Sequence, residues 1–524
     1  MRAPKVAAPA PSLADRLTRS PARYLAIFTL IYILAECCQA SRRRFIFDEL
    51  MTSALANLPD IRQIWPLIAR GMELNPPLTF WLAWILRHAI GEGEVVSRLP
   101  AVAGFWLMCL CLYAFVRRRS TPAYGFIALL LPLFTFTAWH STLSRGYGLM
   151  LGASALALLA WQLAADGVRR GWALAAIATG VAIAISSHYY SVYVALAIGL
   201  GEIARAWERR RLDPAIFAAL ALGLSPLAAY RQLLGGAAHH ATTNFWASPA
   251  DSPTADFLYE SYAGLLGPVM IIVLALLAIA LWRRSDQAAW APQSLTRPEI
   301  VACAALAAMP LIVFCGAMLG PVPFYTRYVQ PVVIGFTILA TMFLHRIAGN
   351  SRRVTEISVA LVVWCCFTPW TGWQACKLIA GKRPAAYLEF SPKLPLAQNL
   401  PIVFDGESIY LEYFHYSPPE IRRRIHALLN PQAAVRYWGS DTTQRSLLLA
   451  QATQDFHAVD YHRFLAANSE FLLMRVGGES WLPQALLAEG ARLQLLSLDK
   501  NLGYFEQAAT VYRVTLPPAS LAKR

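Results

Sequence analysis

The sequence predicts a polytopic α-helical membrane protein with about eleven transmembrane helices and a small C-terminal α/β domain. Three observations carry that prediction. Of the 524 residues, 57% are hydrophobic and only 15% charged, with a mean hydropathy of +0.42, a balance that a soluble domain of this length does not tolerate. Apolar runs of about 20 residues, the length that crosses a bilayer, recur between short Lys/Arg clusters. From residue 373 onward the charge spreads evenly, and short apolar runs alternate with helical-looking stretches. The net charge of +15 does not indicate a nucleic-acid partner, because the excess sits in clusters between apolar runs rather than along one basic face.

Residues 1–22 form a Pro/Ala-rich basic tail, expected in the cytoplasm. The apolar run that follows has no small-x-small cleavage site, because Ser41 runs into Arg42, Arg43 and Arg44, so an uncleaved first span is expected. Apolar windows centre near residues 31, 107, 130, 156, 180, 198, 222, 273, 308, 337 and 363. The stretch 76–90 is shorter and ends in Arg87 and His88. If it lies along the outer surface, parity puts Arg117–Arg119, Arg169 and Arg170, Arg205 to Arg211, Arg283 and Arg284, and Arg346 with Arg352 and Arg353 on the cytoplasmic side. If it spans, nearly all of them fall outside, against the positive-inside rule; a Lys or Arg at a helix centre costs about 2.5–3.5 kcal/mol on insertion. It is therefore expected to be a juxtamembrane helix. Segments 41–97, 139–147, 186–191, 231–264 and 319–328 then face outward, with everything after about residue 371.

These features divide the chain into the tail, a membrane module over 23–372 with juxtamembrane helices in 48–92, and a periplasmic domain over 373–524. Within that domain, strands are expected at 402–404, 471–474 and 511–516, and helices around 417–429 and 442–453. The nine cysteines lie in or beside apolar segments without metal-ligand spacing. No disulfide framework, structural zinc or other metal is expected.

Candidate chemistry collects on the outward segments. Asp48 and Glu49 follow the first span; neighbouring carboxylates on a helix point in different directions and need different partners. Asp48 could alternatively be only the N-cap of the helix that follows. Next come Asn75-Pro76-Pro77-Leu78 and Arg98, the latter at the mouth of the second span, where an arginine can simply snorkel to the interface. Ser144-Arg145-Gly146-Tyr147, His188-Tyr189-Tyr190 and Tyr325-Thr326-Arg327-Tyr328 mark three further outer ends. Tyr and His at an interface usually belong to the aromatic belt. Here three separate ends each pair Tyr with a cation or His, on the face that carries Asp48. Arginines at that face suit a phosphate leaving group, which they bind bidentately, and a carboxylate can take the proton of an attacking hydroxyl.

Together these residues resemble the GT-C superfamily of glycosyltransferases, in the branch of protein O-mannosyltransferases and bacterial lipid-A aminoarabinose transferases, over roughly residues 24–348. The resemblance implies an inverting transfer of a sugar from a polyprenyl-phosphate donor, with no nucleotide sugar, on the outer face of a bacterial inner membrane. It implies Asp48 as the acceptor-side base, with Glu49 orienting it or touching the acceptor. Arg98, Arg145, His188 and Arg327 would surround the lipid phosphate, and Tyr147, Tyr189 and Tyr328 would position sugar or phosphate. The family often has His where Asn75 stands, and the C-terminal region matches no known acceptor-binding domain. Some superfamily members hold a divalent ion near the acidic loop; here the other acids, Glu73, Glu92 and Glu94, are distant in sequence. Expected partners are the donor, membrane lipids and a glycan, lipid or protein acceptor, with no nucleic acid. Two other classes remain open: a flippase of lipid-linked saccharide, which would be expected to show paired bundles with matching Gly/Pro breaks, and a non-catalytic receptor or scaffold.

Overall fold

The computed structural model describes residues 13–140, 142–242, 255–283, 295–319, 325–349, 351–367, 399–454, 456–476, 480–499 and 509–517. The expected boundary at 372/373 and part of the outward segment 319–328 lie outside them. Among the described residues, five helices are long and apolar enough to cross a membrane: Pro21–Arg42, Glu94–Arg119, Tyr147–Ala165, Arg170–Ser187 and Asp256–Trp282. The pair Arg297–Ala307 and Met309–Leu319, bent by 57°, would make a sixth. The remaining windows also hold helix, but shorter, interrupted or, at Val192–Arg209, carrying Glu202, Arg205, Glu208 and Arg209. Pro122–Leu130 passes into a 3-10 turn at Leu131–Phe134, and Pro214–Leu224 stops just before Pro226. Proline lacks the N–H that would continue the ladder and clashes with the preceding turn, so helices end or kink there. Length and apolarity alone thus support a multi-pass membrane protein of at least five spans, fewer than the sequence windows suggest.

The tightest seam lies between Glu94–Arg119 and Tyr147–Ala165. A Cβ at Gly148 would fall 2.2 Å from the Ala101 carbonyl oxygen, and one at Gly152 would fall 2.2 Å from that of Gly104. Small residues let two helices approach to backbone contact where lipid supplies no hydrophobic drive. At the bundle end opposite Asp48, Arg119 pairs with Glu299 and Asp166, Arg118 with Asp166, and Asp213 with both Arg170 and Arg205. Three of the five basic clusters that parity assigns to one side, those containing Arg118 and Arg119, Arg170, and Arg205, meet there.

At the other end, helices Phe47–Ala56, Ile64–Ala69 and Leu78–Ile90 form a layer of short helices, and Trp84 Nε1 donates to the Leu58 carbonyl at 2.8 Å. The 76–90 stretch is a helix of 13 residues, too short to span alone.

The C-terminal domain is a six-stranded sheet: β1 (Ile402–Asp405), β2 (Ile425–Leu429), β3 (Ala458–Asp460), β4 (Glu470–Val476), β5 (Arg492–Asp499) and β6 (Ala509–Thr515), in the order β3-β2-β1-β4-β6-β5. The first four strands run parallel, and β6 is antiparallel to both β4 and β5. All three expected strands form, as does the helix at Thr442–Ala450. The helix expected over 417–429 does not: a single turn, Pro419–Arg422, precedes strand β2. Its Ile425-His-Ala-Leu-Leu429 run lies between β1 and β3, and an inner parallel strand reads as a continuous apolar run that periodicity cannot tell from helix. The domain shares one core with this layer of short helices, where Phe45, Leu55 and Ile64 join the cluster containing Tyr410, Phe414 and Leu447.

Candidate active site

Asp48 and Glu49 are the second and third residues of helix Phe47–Ala56, and successive helical residues are turned by about 100°. They accordingly point to different partners. Glu49 is fully buried: Oε1 accepts from Arg98 Nε at 2.7 Å and from the Ser144 N–H at 2.7 Å, and Oε2 accepts from Arg98 Nη2 at 2.8 Å and the Ile46 N–H at 3.3 Å. The last of these bonds closes the start of the helix from inside, as a capping-box glutamate does. The cap is therefore at Ile46, not at Asp48.

Arg98 is equally buried. Its remaining donors reach the carbonyls of Ala40 (2.7 Å), Arg43 (2.6 Å) and Arg44 (3.1 Å), so all five N–H groups of the guanidinium are used within the protein. The structure places Arg98 behind the acidic loop rather than on an open face.

Asp48 points the other way. Its side chain is 25% exposed, and Oδ2 accepts from Arg327 Nη1 at 3.2 Å. Its main-chain carbonyl accepts from Arg145 Nη1 at 3.2 Å. Burial alone would raise the carboxyl, but the Arg145 and Arg327 guanidiniums, with His140, outweigh it and hold Asp48 below the usual carboxylate range.

Arg145 is placed by the turn before helix Tyr147–Ala165 and makes a two-pronged pair with Glu73, at 2.6 and 3.1 Å. That turn needs Gly146: a Cβ there would lie 2.4 Å from the Ser187 carbonyl oxygen. The contact brings the start of one span against the end of the next and sets Tyr147 beside His188, with ring centroids 5.6 Å apart. His188 also meets Tyr328 at 5.1 Å and Tyr190 at 5.6 Å. Its Nδ1 accepts from the Tyr190 N–H at 3.3 Å, which leaves the proton of the neutral ring on Nε2. Burial, then the charges of Arg327 and Arg145, push His188 down to about 3, so the ring is neutral at pH 7. A narrow cavity opens between Asn75, Thr79, Arg145, Tyr147 and His188. Among the described residues, no three His, Cys, Asp or Glu side chains gather as a metal site.

Residues 74–230 match the family described as dolichyl-phosphate-mannose-protein mannosyltransferase. Two structures of ArnT from Cupriavidus metallidurans share the architecture over 94% of this chain and 98% of that one. One, bound to undecaprenyl phosphate, has a TM-score of 0.52 at 14% identity; the other, in the apo state, has a TM-score of 0.54 at 13% identity. The chain shares the fold of ArnT. No curated protein sequence matches it. In this fold, Asp48, Arg145, Tyr147, His188, Arg327 and Tyr328 come together, while Glu49 and Arg98 lie just behind them. Tyr189 does not join: it packs on the cluster shared by the short helices and the C-terminal domain, near Tyr230, and its neighbour Tyr190 meets Tyr328 at 5.1 Å instead. Adjacent residues in a short turn face opposite ways, and a His-Tyr-Tyr string does not say which tyrosine turns inward. Sequence reading also passed over Glu73 as the partner of Arg145, a pairing across 72 positions with no local signal.

Proposed function

We propose that this protein is a GT-C inverting glycosyltransferase that moves a sugar from a polyprenyl-phosphate donor to an acceptor at the outer face of a bacterial inner membrane. The observation that carries the reading is Asp48, a partly exposed carboxylate held between two arginines at the mouth of the bundle.

A donor phosphate competes for Arg327, whose resting partner is a carboxylate, and binds guanidinium in the same geometry. As Arg327 turns to the phosphate, Asp48 loses its ion pair and becomes a stronger base at the moment one is needed. The acceptor hydroxyl oxygen attacks the anomeric carbon from the face opposite the phosphate. Its proton passes to Asp48, the bond from the anomeric carbon to the phosphate oxygen breaks, and the electron pair leaves on the lipid phosphate, neutralised by Arg327 and Arg145. Neutral His188 donates one hydrogen bond through Nε2 without adding charge, and the tyrosines supply flat walls and hydroxyls for sugar. Undecaprenyl phosphate in the ArnT structure supports a lipid-phosphate donor here. The reaction as drawn requires no metal or other cofactor.

The test is transfer of radiolabelled sugar from polyprenyl-phosphate donors by the purified protein to a panel of lipid, glycan and peptide acceptors, comparing wild type with Asp48→Asn. Transfer by wild type, lost in Asp48→Asn with donor binding retained, supports the reading. Movement of the donor across vesicles without chemistry would replace it with a flippase.

A further inference from the structure

Between the first span and helix Phe47–Ala56 the chain reverses over residues 43–47, and side chains from distant parts of the protein hold its backbone. Arg98 takes the carbonyls of residues 40, 43 and 44, and Glu49 takes the N–H of Ile46. The N–H groups on either side of Ile46 go to the C-terminal domain. Phe45 N–H donates to Tyr416 Oη at 2.7 Å, and Phe47 N–H donates to Glu412 Oε1 at 3.2 Å. Both acceptors lie on helix Glu407–Tyr416, four residues apart and so on one face. The Tyr416 hydroxyl donates onward to Glu94 Oε1 at 3.2 Å, at the start of the helix that carries Arg98, and Arg44 stacks over the Tyr416 ring at 4.8 Å.

We infer that the C-terminal domain is a working part of the active site, in which Glu412 and Tyr416 are positioning residues that clamp the Phe45–Phe47 backbone so that Asp48 faces Arg327. The inference rests on the proposed sugar transfer for its kinetic consequence. Apolar docking of the domain is already supplied by Phe45 and Leu55 against Tyr410 and Phe414. Docking does not require a carboxylate, 4% exposed, aimed at a backbone N–H, since burying such a charge costs unless a directed bond offsets it. Phe47 precedes Asp48 directly, so displacement of that N–H is passed to the carboxylate and to its 3.2 Å contact with Arg327. A misplacement of about 1 Å at a reacting group costs on the order of 10²-fold in rate.

The experiment uses the full chain in nanodiscs with three variants: Tyr416→Phe, Glu412→Leu and Glu412→Gln. Hydrogen exchange of peptides covering residues 44–48 is read beside kcat, donor KM and the pH profile. Tyr416→Phe and Glu412→Leu are expected to speed exchange of those amides about tenfold while the strands of the sheet keep their protection. Each should lower kcat by about 10–100-fold with donor KM within about twofold of wild type. The acid limb should move to higher pH as Asp48 loosens from its arginines. Glu412→Gln keeps an acceptor oxygen and is expected to recover most of the loss. Unchanged exchange at 44–48 in Tyr416→Phe, a variant that removes one hydroxyl, overturns the inference, as does a normal kcat and pH profile with exchange raised. If wild type transfers no sugar from any donor, the functional reading fails, and the exchange measurement still decides whether the C-terminal domain holds this turn.

Discussion

Replacing Arg98 separates a phosphate ligand from a structural bracket. The side chain is fully buried against the fully buried Glu49, and its five N–H groups meet one carboxylate and three carbonyls. Arg98→Met leaves the Glu49 charge in a water-free site with only the Ser144 and Ile46 N–H groups as partners. Breaking a buried pair from one side costs about 3–5 kcal/mol, because the surviving charge is uncompensated. Three carbonyls also lose their donor, each worth about 0.5–1.5 kcal/mol net, so the loss belongs at the upper end of that range. Glu49→Gln, which strands the guanidinium instead, is expected to cost nearly as much. The double variant Arg98→Met/Glu49→Gln removes both charges and should be less destabilised than the two single effects summed, with a coupling of about 0.5–3 kcal/mol. The assay is thermal unfolding in detergent, with polyprenyl-phosphate binding measured well below the transition. A stable Arg98→Met protein that has lost affinity for the lipid phosphate would refute the bracket and restore Arg98 to the phosphate site.

Arg327→Met removes one of the two guanidiniums that hold Asp48 down; burial then dominates, and the acid limb of kcat/KM is expected to move to higher pH while donor affinity falls, both readable from pH-dependent transfer and binding. His188 gives a stability signature. Its folded value of about 3 lies below the ordinary 6.5, so between those values the unfolded chain binds a proton that the folded chain does not, and stability falls as pH drops. Melting of His188→Gln should lose that part of the slope between pH 6.5 and 3. Asp48, also lowered, adds stability that is complete above the ordinary Asp value of about 3.9 and is lost as pH falls below it. Gly146→Ala puts a Cβ 2.4 Å from a backbone oxygen; it is expected to cost about 1–3 kcal/mol and to lower transfer, measured by melting and turnover together.

Much of this was legible because bilayer physics writes itself into sequence. Three of the five basic clusters assigned to one side by parity meet as ion pairs at one bundle end, and residues 78–90 form a helix too short to span alone. Side-chain destination was harder to read. Asp48 and Glu49 are neighbours in sequence, yet one meets Arg327 and the other Arg98; the sequence says that they must diverge but not which faces the opening. Arg98 and Arg145 look alike as cations at span entrances, and only three-dimensional packing shows one with every donor used and the other at the cavity wall. The strand at Ile425–Leu429 was misread because a buried run of five apolar-rich residues carries no period.

The contact at Gly146 has a mechanical consequence. Because the backbone there abuts the Ser187 carbonyl, Arg145 and His188 stand on one rigid jaw. Arg327 comes from the separate three-residue turn Thr326–Tyr328 and reaches Asp48 through one partly exposed ion pair. Of the groups around the opening, that pair is the least embedded. In the proposed reaction it would be the latch, and a lipid phosphate that takes Arg327 as its own partner would be the key that lifts it.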